Sequence, residues 1–376
     1  MTAAPPGPPR HGGYGGPPPD DSFYFQDGPG RPLNPERARQ KRNGRIVLSV
    51  MALLVIGALV AAGAYLFSLS RAYSDNVNHF PPTADGEQDT VSPPEEDRPE
   101  PNDDGTINML LLGSDDGGGS GADENLPRVP GGGRSDTMMF INIPGDRSGV
   151  NVLSIPRDLW VEVPGGYGWH KVNAPLALAD PQGPWLTVAT VEQLFDARID
   201  HVMAIDLEGF TGLVEDLGGV TVNNPQDTPF EQYGYTFTPG SHDMDAEQAE
   251  AFVRHRSSFA QGDLQRVQNQ QALVRAVINE AASPSTLANP VRVHDMIGTF
   301  SSHLVVDEEL GSGAAGELAF SMRGAAQNLS FGTLPNGGHG YSSDGQWIFH
   351  QDESAMTEIA RHIDEGTLDE YLSALD

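Results

Sequence analysis

The chain has 376 residues, with 22 Lys and Arg against 52 Asp and Glu, a formal net charge of -30 and no cysteine. That acidity argues against nucleic acid as a partner, because sequence-independent affinity for a polyanion comes from a basic surface that releases counterions. Without thiols there is neither a disulfide framework nor a thiolate metal site, so an oxidising compartment is allowed but not demanded.

Residues 1–45 read as a disordered basic cytoplasmic tail. Met1 to Arg31 is dominated by Pro, Gly, Tyr and Asp, which bury too little apolar surface to offset the entropy of ordering. Arg31, Arg37, Arg39, Lys41, Arg42 and Arg45 then lead into Ile46 to Leu69, a run without a single charge. At about 1.5 Å per residue, roughly 24 helical residues span about 36 Å, enough for a hydrocarbon core of about 30 Å with some tilt. Residues 46–69 are therefore predicted to be a single transmembrane helix. The basic flank places the N-terminus in the cytoplasm and everything after Arg71 outside. Ala61-Ala62-Gly63-Ala64 offers small residues for signal cleavage, but the preceding segment is far longer than an ordinary leader.

Residues 70–106 are rich in Pro, Asp and Glu and predict an extended, self-repelling spacer that holds the folded part away from the membrane. The extracytoplasmic catalytic domain is expected to occupy 107–376. Ile107–Leu112, Thr137–Ile143, Val150–Ile155 and Val202–Ile205 are short apolar runs bounded by Gly, Pro or Asp, the signature of buried strands. Helical periodicity is found over Leu186–Phe195, Leu207–Leu217, Ala246–Val253, Leu264–Ala282, Glu317–Asn328 and Glu353–Ile363. Asp245-x-x-Gln248 provides a capping box. Strands interleaved with helices indicate an α/β domain whose helices cover a buried sheet.

Asp115 follows the first strand and Asp136 opens the second, so antiparallel pairing would set both at one end of the sheet. A turn at Pro144-Gly145-Asp146 would return the third strand to that end with Arg157 and Asp158. Two carboxylates suit Mg²⁺, or Mn²⁺, which keeps waters and takes further ligands from substrate phosphates. Each aspartate alone is more often a turn or strand-end cap. Arg254 and Arg256, two apart, would share one side of an extended segment with His255 facing away. Asp263 would cap the next helix and place Arg266 and Gln270 on one face near its positive end, where phosphate oxygens are well served. The bland counterpart is a surface ion network. His170, Lys171 and Asn173 are weaker candidates, read as loop contacts. Nucleophile elbows, zinc-binding His-Glu-x-x-His and P-loop motifs are missing from the sequence.

Taken as a set, Leu-Leu-Gly-Ser-Asp115, Arg134-Ser-Asp136-Thr, Ser154-Ile-Pro-Arg157-Asp158 and Val253-Arg254-His-Arg256 followed by Asp263-x-x-Arg266-x-x-x-Gln270-Gln271 resemble the LytR-CpsA-Psr family. The resemblance covers about residues 107–282 by motif and includes the preceding single membrane span. It implies a three-layer α/β/α sandwich with a mixed sheet. The activity it implies is transfer of a glycan phosphate from a polyprenyl-pyrophosphate-linked glycopolymer to a peptidoglycan hydroxyl, at the membrane lipid surface. Carried over, Asp115 and Asp136 would hold Mg²⁺, Arg157, Arg254, Arg256, Arg266 and Gln270 would grip the pyrophosphate, and Asp136, Arg157 and Arg256 would be catalytic. Asp136 or Asp158 would accept the hydroxyl proton. Asn269 stands where the family usually has another arginine, which would weaken a substrate contact, and Asp116 replaces a frequent small hydroxyl residue. A polyprenyl-pyrophosphate hydrolase and a non-catalytic lipid-binding regulator are the competing expectations.

Overall fold

The computed structural model describes residues 35–81, 95, 98–114, 135, 137–179, 181–255, 262–322, 324–325 and 328–375. The chain divides into two compact units, one ending at Ala62 and one running from Gly63 to Asp376.

A long helix, α1 (Pro35–Asn76), precedes a two-residue strand, β1 (Asn78–His79). Three strands follow, β2 (Ile107–Ser114), β3 (Thr137–Ile143) and β4 (Val150–Ser154), then the hairpin β5 (Trp160–Val163) and β6 (Gly168–Lys171). Helices α2 (Pro175–Leu178) and α3 (Gly183–Phe195) lead to β7 (His201–Asp206) and α4 (Leu207–Asp216). Next come four short strands, β8 (Val220–Asn224), β9 (Phe230–Gln232), β10 (Tyr235–Phe237) and β11 (Gly240–Met244). Helices α5 (Ala246–Arg254), α6 (Gly262–Ala281), α7 (Pro284–Leu287) and α8 (Pro290–Ser302) precede β12 (Leu304–Val306) and α9 (Ser312–Ser321). The chain closes with β13 (Leu329–Thr333), β14 (Asn336–Tyr341), β15 (Trp347–Gln351), α10 (Glu353–Asp364) and α11 (Leu368–Leu375).

Seven strands form one mixed sheet in the order β1-β12-β7-β2-β3-β4-β13. Alternation along its strands divides the apolar side chains between two helical layers. Leu110, Leu112, Phe140 and Leu153 face α3, α10 and α11 through Leu186, Val191, Ile359 and Leu372. Met109, Met139, Val150 and Val152 face the other way, against Tyr73 of α1, Phe300 of α8 and Leu318 of α9. The result is a three-layer α/β/α sandwich. A third cluster joins α4, α5 and α6 to β8 and β11 through Val214, Val222, Phe252 and Leu273.

The turn joining β3 to β4 brings them antiparallel, with Met139 opposite Ser154. Arg147 adopts a left-handed φ of 57° there and its amide donates to the Pro144 carbonyl at 2.9 Å. A Cβ on Gly145 would lie 2.1 Å from the Asp104 carbonyl oxygen, so that turn demands glycine. Register is also set by polar groups. Buried Asn142 donates to Asn108 at 2.9 Å and buried Asn151 donates to Asn142 at 3.1 Å, a line across β2, β3 and β4 that a one-residue slip would break.

Three features differ from the sequence reading. Residues 1–34 of the expected disordered tail lie outside the described residues, but Pro35 to Arg45 is helical; Pro at the first helical position and the helix-favouring Arg, Gln and Lys that follow account for it. Parts of the expected spacer at 70–106 belong to the folded unit. β1 pairs with β12, Phe80 is buried, the Trp185 indole donates to the Pro81 carbonyl at 2.9 Å, and Arg98 reaches buried Glu192 at 2.6 Å. Apolar burial and the ion pairs of Arg98 with Glu192 and of Glu95 with Arg198 outweigh the self-repulsion of the acidic residues around them. Finally, the helix expected at Glu317–Asn328 is α9, which starts earlier and ends at Ser321, because Gly313 and Gly316 obscure its beginning in the sequence.

Candidate functional site

β2 ends, β3 begins and β4 ends at one end of the sheet, with Gly113 of β2 opposite Thr137 of β3 and Met139 of β3 opposite Ser154 of β4. Asp115 and Asp136, the expected metal ligands, lie outside the described residues. Ser135 is buried, its Oγ within 3.0 Å of the Gly113 carbonyl and 2.6 Å of the Thr137 carbonyl. A Cβ on Gly113 would sit 2.9 Å from the Thr137 Cβ, so glycine permits this close approach. Asn173, read from the sequence as a minor loop contact, donates to the Ser135 carbonyl at 3.3 Å and braces the same segment.

β4 ends at the same edge and delivers Arg157 and Asp158. Asp158 is 8 % exposed and is held between two cations, Lys171 Nζ at 2.5 Å and Arg157 Nε at 3.5 Å. Lys171 is placed for this by the β5/β6 pairing, which sets it opposite Trp160. The Asp158 carbonyl also accepts the Phe349 amide at 2.9 Å, so β15 buttresses the loop. Spacing alone underrated Lys171, because its partner is thirteen residues away and meets it only through the hairpin.

Helix α6 is bonded to that edge by one side chain. Gln271 Nε2 donates toward Ser154 Oγ at 2.8 Å, the Gly332 carbonyl at 2.9 Å and Thr333 Oγ1 at 3.1 Å, joining α6 to the ends of β4 and β13. Arg266 lies five residues earlier, about 7.5 Å back along the helix. It is 2 % exposed, the largest of the almost wholly buried side chains among the described residues. Gln270 shares its face at i, i+4 and is half-buried. The helix begins at Gly262, so Asp263 falls within its first turn rather than before it.

Two expectations change here. Arg254 is the last residue of α5, not part of an extended pair, and its Nε lies 3.2 Å from Glu250 one turn earlier. The capping box at Asp245 and Gln248 starts this helix, and its periodicity carries on through Arg254 before the chain turns extended at His255. Arg256 lies outside the described residues. His255 is stacked on Phe230 with centroids 4.1 Å apart, and burial holds its imidazole below the usual value. Asn269 is not a weakened substrate contact in this geometry. It is fully buried, donating to the Phe252 carbonyl at 3.0 Å and accepting from Gln226 Nε2 at 3.1 Å, so it ties α6 to α5 and to the loop after β8.

Among the described residues no group of three or more acidic, His or Cys side chains is gathered for a metal. The two expected ligands, Asp115 and Asp136, lie outside the described residues; two carboxylates are the donor set that suits a divalent ion sharing its remaining sites with phosphate oxygens. Asp158 gathers the guanidinium of Arg157 and the ammonium of Lys171 at this end of the sheet, in a chain of net charge -30. Such an edge can orient a phosphoryl group and neutralise charge that develops on its oxygens.

The chain matches the LytR_cpsA_psr family model over residues 67–365. It is 32% identical over 320 residues to a protein of Oceanobacillus iheyensis named polyisoprenyl-teichoic acid–peptidoglycan teichoic acid transferase TagU, covering 83% of this chain and 92% of that one. A Bacillus mycoides protein of the same name is 27% identical over 319 residues, covering 84% and 95%. Among solved structures, B. subtilis TagV is similar with a TM-score of 0.56 at 21% identity, over 70% of this chain and 97% of that one.

Proposed function

The chain belongs to the LytR-CpsA-Psr family, and we propose that it is a membrane-anchored phosphotransferase that moves a glycan phosphate from a polyprenyl-pyrophosphate-linked glycopolymer to a peptidoglycan hydroxyl. The observation that supports this reading is the joining of α6, the helix of Arg266, to the ends of β4 and β13 by Gln271, since β4 leads into Arg157 and Asp158. The printed names of the relatives specify a teichoic acid; the donor class proposed here is the anionic, lipid-linked glycopolymer. One apolar helix, Leu54–Asn76 among the described residues, fits a single-pass anchor, with the N-terminus in the cytoplasm and the domain outside.

In this reading Arg157, Arg256, Arg266 and Gln270 bind the pyrophosphate oxygens, and Arg254, the last residue of α5, supplements them from its helix end. Asp115 and Asp136 would hold Mg²⁺, which supplies charge neutralisation on the diphosphate when bound. The acceptor hydroxyl oxygen bonds to the glycan-linked phosphorus while the bond from that same phosphorus to the bridging oxygen breaks. Polyprenyl phosphate leaves with the bonding pair. Asp158 is occupied by Lys171 and Arg157 and serves to orient Arg157. That leaves Asp136 to take the hydroxyl proton.

Asp136→Ala and Arg157→Ala in the full detergent-solubilised chain, given a lipid-linked donor, Mg²⁺ and peptidoglycan, are expected to lower release of polyprenyl phosphate by about 10²-fold or more, with an unchanged melting temperature. Undiminished release in both variants refutes the assignment. Free glycan phosphate with no polymer joined to peptidoglycan would identify a hydrolase instead.

A further inference from the structure

The two faces of the β5/β6 hairpin differ. Pairing sets Trp160 opposite Lys171 and Glu162 opposite Trp169. Partners in an antiparallel pair project to the same side while successive residues alternate, so these four side chains share one face. The alternate residues Val161 and Val163 are 2 % and 1 % exposed and pack into the core. The face turned to solvent is therefore the one that carries two tryptophans. Trp169 is 52 % exposed, and Trp160 is half-buried, its ring centroid 6.5 Å from that of His170.

A single exposed aromatic is ordinary on a protein surface. Here two lie diagonally across one hairpin whose backbone is fixed by its neighbours. Gln193 of α3 donates to the Glu162 carbonyl at 3.2 Å, Gln351 of β15 donates to the Trp160 carbonyl at 3.0 Å, and the Val172 amide donates to the Leu159 carbonyl at 2.8 Å. The same face runs into the site already described, because Lys171 reaches Asp158 at 2.5 Å and Asp158 lies 3.5 Å from Arg157 Nε. Trp169 is two residues from Lys171, about 7 Å along the strand.

The apolar C–H face of a pyranose stacks on the negative face of an indole, and its hydroxyls need hydrogen-bonding groups around the ring. Glu162, exposed opposite Trp169, supplies an acceptor there. In a chain of net charge -30 that carboxylate repels a phosphate-bearing polymer but not an uncharged glycan, and Lys171 does not offset it, being paired with Asp158. We propose that the Trp160 and Trp169 face of the β5/β6 hairpin binds the sugar rings of the uncharged acceptor glycan and presents its hydroxyl to the Arg157 end of the sheet. This deepens the transferase reading and rests on it: the anionic donor is held through its pyrophosphate, whereas an uncharged acceptor is held by stacking.

The full detergent-solubilised chain and its Trp169→Ala and Trp169→Tyr variants are titrated by calorimetry with chitotetraose, an uncharged N-acetylglucosamine oligosaccharide, and separately with poly(glycerol phosphate), an anionic polymer. Trp169→Ala is expected to weaken chitotetraose binding by about tenfold, and Trp169→Tyr, which keeps an aromatic face, to stay within about threefold of the wild type. In transfer assays Trp169→Ala should raise KM for peptidoglycan by about the same factor and leave the donor KM and the melting temperature unchanged. Equal chitotetraose affinity in the wild type and Trp169→Ala, or no chitotetraose binding at all, overturns the inference and leaves the transferase reading in place. Preference for poly(glycerol phosphate), lost in Trp169→Ala, overturns the choice of the acceptor as occupant. Trp169-dependent chitotetraose binding by a wild-type chain that releases no polyprenyl phosphate refutes the transferase reading and the acceptor role with it.

Discussion

Asn269 offers a sharp test of whether an apparent departure from the family pattern has a catalytic or an architectural meaning. Its side chain amide donates to the Phe252 carbonyl at 3.0 Å, and its oxygen accepts from Gln226 Nε2 at 3.1 Å, with none of the residue exposed. Asn269→Leu keeps the volume but leaves a buried carbonyl and a buried amide without these partners. Each costs about 1–3 kcal/mol, so the variant should lose about 2–6 kcal/mol, a large fraction of the roughly 5–15 kcal/mol typical of a domain. At about 2–4 °C per kcal/mol, the melting temperature of the solubilised chain should fall by about 4–24 °C. Asn269→Arg, which installs the family's usual residue, adds overpacking of about 1–3 kcal/mol to the same losses. It is expected to melt lower still and to show no gain in transfer. A faster Asn269→Arg variant with an unchanged melting temperature would refute the architectural account and return Asn269 to the substrate.

Two other perturbations follow from single side chains. Gln271→Leu deletes the bond between α6 and the ends of β4 and β13, and should destabilise the chain by about 2 kcal/mol in denaturant titration while lowering transfer in the fraction that remains folded; wild-type transfer after correction for folding would count against Gln271 as the support of the Arg266 helix. His201 is pushed down by burial but pulled up further by its hydrogen bond to Asp307 and by that carboxylate's charge, for a net rise. Its contribution to stability is therefore fully present below the unfolded value of about 6.5 and is lost as pH rises through the raised folded value. His201→Gln should lower the melting temperature more at about pH 5.5 than at about pH 9; equal losses at both values would sink the argument.

What was legible beforehand was what hydropathy and local chemistry can encode. The apolar runs at Ile107–Leu112, Thr137–Ile143 and Val150–Ile155 became neighbouring strands because alternation and a Pro-Gly turn specify pairing over short distances. The capping box at Asp245 marked the start of α5 for the same local reason. The long apolar helix of α1 needed only length and the lack of charge.

Tertiary structure decided whatever depends on partners far apart in sequence. Asn108, Asn142 and Asn151 look like surface polar residues until the sheet lines them up inside, where leaving any one unpaired would be costly. Asn269 resembles a missing arginine until Phe252 and Gln226 are seen to claim both ends of its amide. Lys171 gains importance only when the β5/β6 hairpin folds it onto Asp158. Part of the acidic spacer joins the sheet because Phe80 and Arg98 find a core and a buried carboxylate there, a gain that composition averaged over the segment conceals. Periodicity records how a residue stands relative to its own element, whereas the free energy of burying a polar group depends on which distant group meets it, and only the fold determines that.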